Sequence, residues 1–171
     1  MHRLAFAIAV LLLSALPIRA EDAMTVPRLE EIVRAVDPEA DVTPGAMALT
    51  IEDIPVIVVH DASNDRMRAM TAIRSASGIP AEELMRIMQA NFDAALDARY
   101  AIAQGRLWSV FIHPLGDLRK DEFLSGLGQV VNLALTYGST YTSGALTFGG
   151  GDSNRLHRAL IDELLKKGED I

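Results

Sequence analysis

Three runs decide the fold: Met47-Ala-Leu-Thr-Ile51, Pro55-Val-Ile-Val-Val-His60 and Met67-Arg-Ala-Met-Thr-Ala-Ile-Arg74. Each is rich in apolar and β-branched side chains. They are separated by Glu52-Asp53 and by the turn-forming stretch from Asp61 to Asp65, so they read as a three-stranded antiparallel meander. The middle run is apolar at every position from Val56 to Val59, the pattern of a strand covered on both faces.

Working outward, Val26, Leu29, Ile32, Val33 and Val36 recur at helical spacing, with Thr25 placed to cap them and Pro27 tolerated in the first turn. Pro38 and the Pro44-Gly45 pair close that helix off. On the other side, Gly78 and Pro80 announce a second helix from Ala81 to about Ala95, with Leu84, Ile87, Met88, Asn91, Phe92 and Ala95 expected along its inner stripe. Two further strands follow, Arg99 to Ala103 and Leu107 to His113, joined by Gln104-Gly105-Arg106. A third helix is expected from near Leu118, capped by Asp117 and running through Phe123, Leu127, Val130, Val131 and Ala134 to about Tyr137. Gly126 and Gly128 lie inside it, each unfavourable by about 1 kcal/mol relative to Ala, which points to close packing against another element. The order α-β-β-β-α-β-β-α defines an α+β domain over residues 25–138, with one five-stranded antiparallel sheet and helices against it.

The ends of the chain have other characters. His2 and Arg3 precede an unbroken apolar run from Leu4 to Leu13 and a break at Ser14 to Pro17, the layout of a secretory signal peptide over residues 1–20. The run is shorter than the roughly 20 apolar residues that span a bilayer. The mature protein is therefore expected to be periplasmic or secreted, with no membrane association after cleavage. Residues 139–153 are rich in Gly, Ser and Thr and read as a linker. Residues 154–168 read as an amphipathic helix with Leu156, Ala159, Leu160, Ile161, Leu164 and Leu165 on one stripe and Lys166 and Lys167 at its C-terminal end. Docking on its own domain is the simpler expectation for that helix.

Composition narrows the function classes. In 171 residues there are 16 Lys and Arg against 23 Asp and Glu, a formal charge of −7. Loss of Arg3 and Arg19 with the signal makes the mature chain more acidic still, against the phosphate neutralisation on which nucleic-acid binding depends. The absence of cysteine excludes disulfides, thiolate metal sites and cysteine nucleophiles.

Several of these stretches carry a resemblance. Ala46-Met-Ala-Leu-Thr-Ile-Glu-Asp-Ile-Pro-Val56, Gly78-Ile-Pro80, Met88-Gln-Ala-Asn-Phe92, and His113-Pro-Leu-Gly-Asp-Leu118 running into Glu122-Phe-Leu124 together resemble the class I type III secretion chaperone (CesT-type) family and its YbjN-like relatives. The element order resembles theirs too, over about Val26 to Tyr137. The resemblance implies a small, homodimeric, non-enzymatic protein that holds an extended partner segment against sheet edges and apolar patches, without a cofactor. Type III chaperones act in the cytoplasm, so an exported relative would keep the binding mode with a different client.

Independent chemistry is sparse. His60, Asp61 and Asp65, or His113, are the residues from which a small hydrolase or metal-dependent enzyme would have to be built. No two histidines stand at metal-ligand spacing, and Asp61-Ala-Ser-Asn-Asp65 reads first as a polar hairpin loop. Nor is there a Gly-x-Ser-x-Gly, phosphate-loop or zinc-protease pattern. The residues expected to meet a protein or peptide partner are Met67, Met70 and Ile73 in the third strand and Trp108, Val110 and Phe111 in the fifth, because methionine adapts to varied surfaces and tryptophan anchors interfaces. Strand addition is the expected mechanism.

Overall fold

The computed structural model describes residues 23–93, 96–138 and 152–169. Helix α1 spans Val26–Val36 and buries Leu29, Ile32, Val33 and Val36. Thr25 Oγ1 accepts from the Arg28 N–H at 3.3 Å, satisfying one of the amides that a helix start leaves open. The meander follows as β2 (Ala46–Ile51), β3 (Ile54–Asp61) and β4 (Arg66–Ser75), preceded by an unforeseen strand, β1 (Asp41–Thr43). Then come α2 (Ala81–Asp93), β5 (Arg99–Ala103), β6 (Arg106–His113), α3 (Lys120–Leu135) and α4 (Asp152–Lys167).

The sheet has six strands, not five, in the order β1-β2-β3-β4-β6-β5, with every pair antiparallel. The sixth escapes notice because Asp41-Val-Thr43 offers one apolar residue; it exists because Pro44 and Gly45, the latter at φ +85°, fold it back onto Ala46, Met47 and Ala48. Turns at Glu52-Asp53 and Gln104-Gly105 hold both residues at positive φ, the handedness that suits two-residue hairpins.

Among the described residues, helices cover one face only. Met47, Leu49, Val56, Val58, Met67, Ala69, Leu107 and Phe111 point into the core beneath α1 and α3. Helix α4 lies on the far side of α3 and buries Leu160 and Leu164, so the C-terminal helix docks at home. Lying between sheet and α4, α3 is buried almost all round from Phe123 to Leu133. Its glycines are the points of closest approach: a Cβ on Gly126 would stand 2.6 Å from the Phe111 ring, and one on Gly128 would stand 2.8 Å from Ile161 Cγ1. The start of α3 departs from expectation. It begins at Lys120, and Glu122 reaches back to accept the Arg119 N–H at 3.0 Å, while Leu118 is a buried residue of the preceding loop.

The expectation that β3 is covered on both faces is corrected, since Ile57 and Val59 are 36% and 38% exposed. So is the inner stripe of α2. Ile87 and Ala90 are buried and Leu84 packs against the core, whereas Met88 and Phe92 point outward with Met85; Ala95 lies outside the described residues. The signal segment and most of the linker also lie outside them; Asp152 and Ser153, read as linker, belong to α4.

Candidate functional site

The strand register builds a second surface on the face without helices. Side chains alternate along a strand, so the residues between the core positions line this face. Cross-strand pairing joins Ala48, Ile57, Met70, Val110 and Arg99 in one row, Ala46, Val59, Arg68 and Ile112 in a second, and Ala72, Trp108 and Ala101 in a third. Ile57, Val59 and Ile112 are exposed, Ile112 by 55%. Trp108 Nε1 donates to the Ala103 carbonyl at 3.0 Å, which satisfies the polar end of the indole and fixes the ring on the β5 side of its strand. A groove of about 410 Å³ opens there over Met70, Trp108, Val110 and Ile112, with Arg68 and Arg99 at its sides.

Three of the six residues proposed from sequence therefore share this face: Met70, Trp108 and Val110. The other three do not. Met67 and Phe111 are 1% and 4% exposed and belong to the core, and Ile73 packs against it near the irregularity in register between Ala72 and Arg74. Sequence reasoning passed over Ile57, Val59, Ile112 and the two arginines. Once the core parity of each strand is known, period-two alternation assigns them all.

Strand edges offer less. β1 is three residues long. In β5 the Asn91 side chain already holds both main-chain groups of Tyr100, accepting its N–H at 2.7 Å and donating to its carbonyl at 3.1 Å. A second apolar exposure lies on α2, where Met85, Met88 and Phe92 point outward, with Leu96 beyond the helix; Phe92 is 75% exposed.

Of the residues of the alternative chemistry, Asp61, Asp65 and His113 contact the backbone. His60 and His113 lie in one cross-strand row with Met67 between them, about 10 Å apart at two strand spacings. His113 stacks on Phe111, and its Nδ1 is 2.8 Å from the Pro114 carbonyl oxygen. Asp65 Oδ1 accepts from the Gly116 N–H at 2.6 Å, tying the β3–β4 hairpin to the loop before α3. Asp61 Oδ1 accepts from Ser63 and Asn64 N–H, and its Oδ2 accepts from Asn64 Nδ2 at 2.7 Å. Among the described residues no group of three or more His, Asp or Glu gathers to hold a metal.

Those bonds hold the Asp61 carboxyl below its ordinary range, the Asn64 side chain first and its backbone N–H next. A lowered folded pKa means that this small contribution to stability is present above the unfolded value and is lost as the pH falls through the folded one. Replacing Asp61 with Ala is thus expected to lower the melting temperature slightly at pH 7 and to make no difference in strong acid. Equal deficits at pH 7 and pH 2 would contradict that assignment.

Neither a family model nor a curated protein matches the sequence. Solved structures do share the fold. The ExsC–ExsE complex matches at 10% identity over 68% of this chain and 97% of that one, with a TM-score of 0.50. The HopA1–SchA chaperone–effector complex matches at 11% over 64% and 88%, with a TM-score of 0.51. The Yersinia pestis type III secretion chaperone SycH, solved with a stable fragment of YscM2, matches at 20% over 63% and 94%, with a TM-score of 0.50. At these identities the likeness is one of fold.

Proposed function

We propose that the chain is a non-enzymatic, exported, chaperone-like module that holds a segment of a partner protein on apolar patches of its sheet. The observation that carries this reading is the helix-free face: an apolar surface of contiguous rows, set on a rigid six-stranded frame. A likeness of fold to chaperones in complex with their partners supports it. Strand addition has limited room, with β1 short and β5 occupied at Tyr100, so the face supplies most of the contact area. The signal-like pattern over residues 1–20 supports the exported part of this reading. Protein recovered from an exporting Gram-negative host is then expected to begin at Glu21 by N-terminal sequencing, and an intact Met1 would refute export by cleavage.

The direct test is aggregation of reduced insulin B chain in the presence of the full chain. Light scattering should fall near equimolar ratio, and Met70→Glu with Ile112→Glu should abolish the protection while circular dichroism is unchanged. An unprotected B chain would sink the reading.

The same proposal includes a homodimer, for which the outward stripe of α2 is the natural contact. Fully burying a Phe is worth about 1.5–3 kcal/mol, or roughly 10- to 150-fold in a dissociation constant. Phe92→Glu should weaken self-association by at least that factor in sedimentation equilibrium, without altering the fold, because the ring is already in solvent. A wild-type chain that sediments as a monomer at every concentration removes the dimer.

A further inference from the structure

We propose that the groove over β4, β6 and β5 takes a helical segment of a partner protein that carries acidic residues on both flanks of an apolar stripe. This rests on the reading of the chain as a partner-binding module and goes on to name the chemistry of the partner. The apolar floor runs along β6 as Trp108, Val110 and Ile112. Arg68, the cross-strand neighbour of Ile112 on β4, stands on one side, and Arg99, the neighbour of Val110 on β5, stands on the other. They are offset by two residues along β6, and measured across the strands they are two spacings apart, about 10 Å. That is close to the diameter of a helix with its side chains, about 10–12 Å. A helix lying along β6 therefore sets its stripe on the floor and its two flanks beside the two guanidinium groups.

The charge of this region runs against that of the chain. In a protein of formal charge −7, the groove is edged by Arg68 and Arg99, with Arg106 at the β5–β6 turn. Among the described residues Arg68 and Arg106 make no ion pair. Arg99 donates to the Leu96 and Ala98 carbonyls through Nη1, which leaves its other donors for a carboxylate. The single acid on the lining is Asp97, whose Oδ2 accepts from Gln129 Nε2.

A second copy of the chain meets this requirement poorly. The face set against itself opposes arginine to arginine. At 100° per residue, α2 carries Glu82 and Asp93 with Arg86 on one flank of its outward stripe and the uncharged Leu84 and Asn91 on the other, so its acids stand on one flank only. Residues 139–151 contain no acid.

Trp108 is the only tryptophan, so its fluorescence reports this groove alone. Two 18-residue helical peptides serve as probes, both with leucines on one stripe, one flanked by glutamates and the other by lysines. The acidic peptide should shift Trp108 emission to the blue and bind the full chain about tenfold more tightly than the basic one at low salt, with the gap closing as salt rises. Arg68→Glu should weaken the acidic peptide about tenfold and strengthen the basic one, at unchanged melting temperature. Equal affinities overturn the proposal. So does binding seen by anisotropy of a labelled peptide without a Trp108 response, or protection of insulin B chain without binding of either peptide, and both of these leave the wider reading standing. An emission shift that follows protein concentration alone assigns the face to a second copy, and one that follows phosphatidylglycerol vesicles instead of peptide assigns it to a membrane surface; either overturns the proposal. Loss of B-chain protection as well brings down the wider reading with it.

Discussion

Gly126→Val is expected to destabilise the domain by about 3 kcal/mol, at the upper end of what overpacking a core costs. The position tolerates nothing beyond hydrogen. A Cβ there would stand 2.6, 2.7 and 2.9 Å from Cδ1, Cε1 and Cγ of Phe111, and valine adds two methyl groups beyond it. Phe111 has little room to swing away, because it is buried between β6 and α3 and stacked on His113. The gain in helix propensity over glycine is only a few tenths of a kcal/mol and does not offset the clash. For a domain of this size that loss corresponds to a fall of roughly 6–12 °C in melting temperature. Phe111→Ala alone should cost about 3–5 kcal/mol, yet in the Gly126→Val background the two losses should fall well short of additive, because the smaller side chain makes room for the new one. Additive losses, or a Gly126→Val protein that melts with wild type, would show that α3 does not approach β6 as closely as described. Gly128 should behave more mildly as Ala, since the nearest atom, Ile161 Cγ1, belongs to a half-buried side chain that can rotate.

These glycines also show what a sequence makes legible. Two unfavourable residues inside one helix announce close packing before any partner is known, and α3 is the element for which that inference carried furthest. The meander is equally plain, because its strands alternate with turns that admit few other readings. Which face of each strand is covered is not local information: Val56 to Val59 is apolar throughout, and only the count and placement of helices leaves Ile57 and Val59 in solvent. α2 fails for a related reason. Its apolar residues occupy a wide arc, and which part of it is buried depends on distant elements: Asn91 is bonded to Tyr100 of β5 and Glu83 to Tyr137, so Ile87 and Ala90 face inward and Met88 and Phe92 stay outside. The candidate site was half legible on the same terms. Met70, Trp108 and Val110 were found by residue type, whereas parity was needed to trade Met67 and Phe111 for Ile57, Val59 and Ile112.

Gln129→Ala is the second large effect, with an expected loss of about 2–3 kcal/mol. The side chain is a junction between α3 and the loop leading into β5. Its Oε1 accepts the N–H groups of Asp97 and Ala98 at 2.7 and 3.0 Å, and its Nε2 donates to Asp97 Oδ2 at 3.2 Å and to Ser125 Oγ at 3.1 Å. Ala98 is 1% exposed, so water cannot replace the lost acceptor at its amide without opening the loop. Gln129→Leu separates the two contributions: it restores most of the buried volume and leaves the same donors unpaired, and its deficit should stay close to that of alanine. Amide exchange at Ala98 should speed up in both variants, and a protected amide with unchanged stability would disprove the junction. Gln129→Glu keeps an acceptor for both amides, gives up the two donor bonds and sets its carboxylate beside that of Asp97. The consequence reaches the groove, because the loop that Gln129 holds delivers Arg99 to the β5 side of the floor. Weaker binding of the acid-flanked peptide by Gln129→Ala, with Arg68 untouched, would tie the core of α3 to the surface it supports.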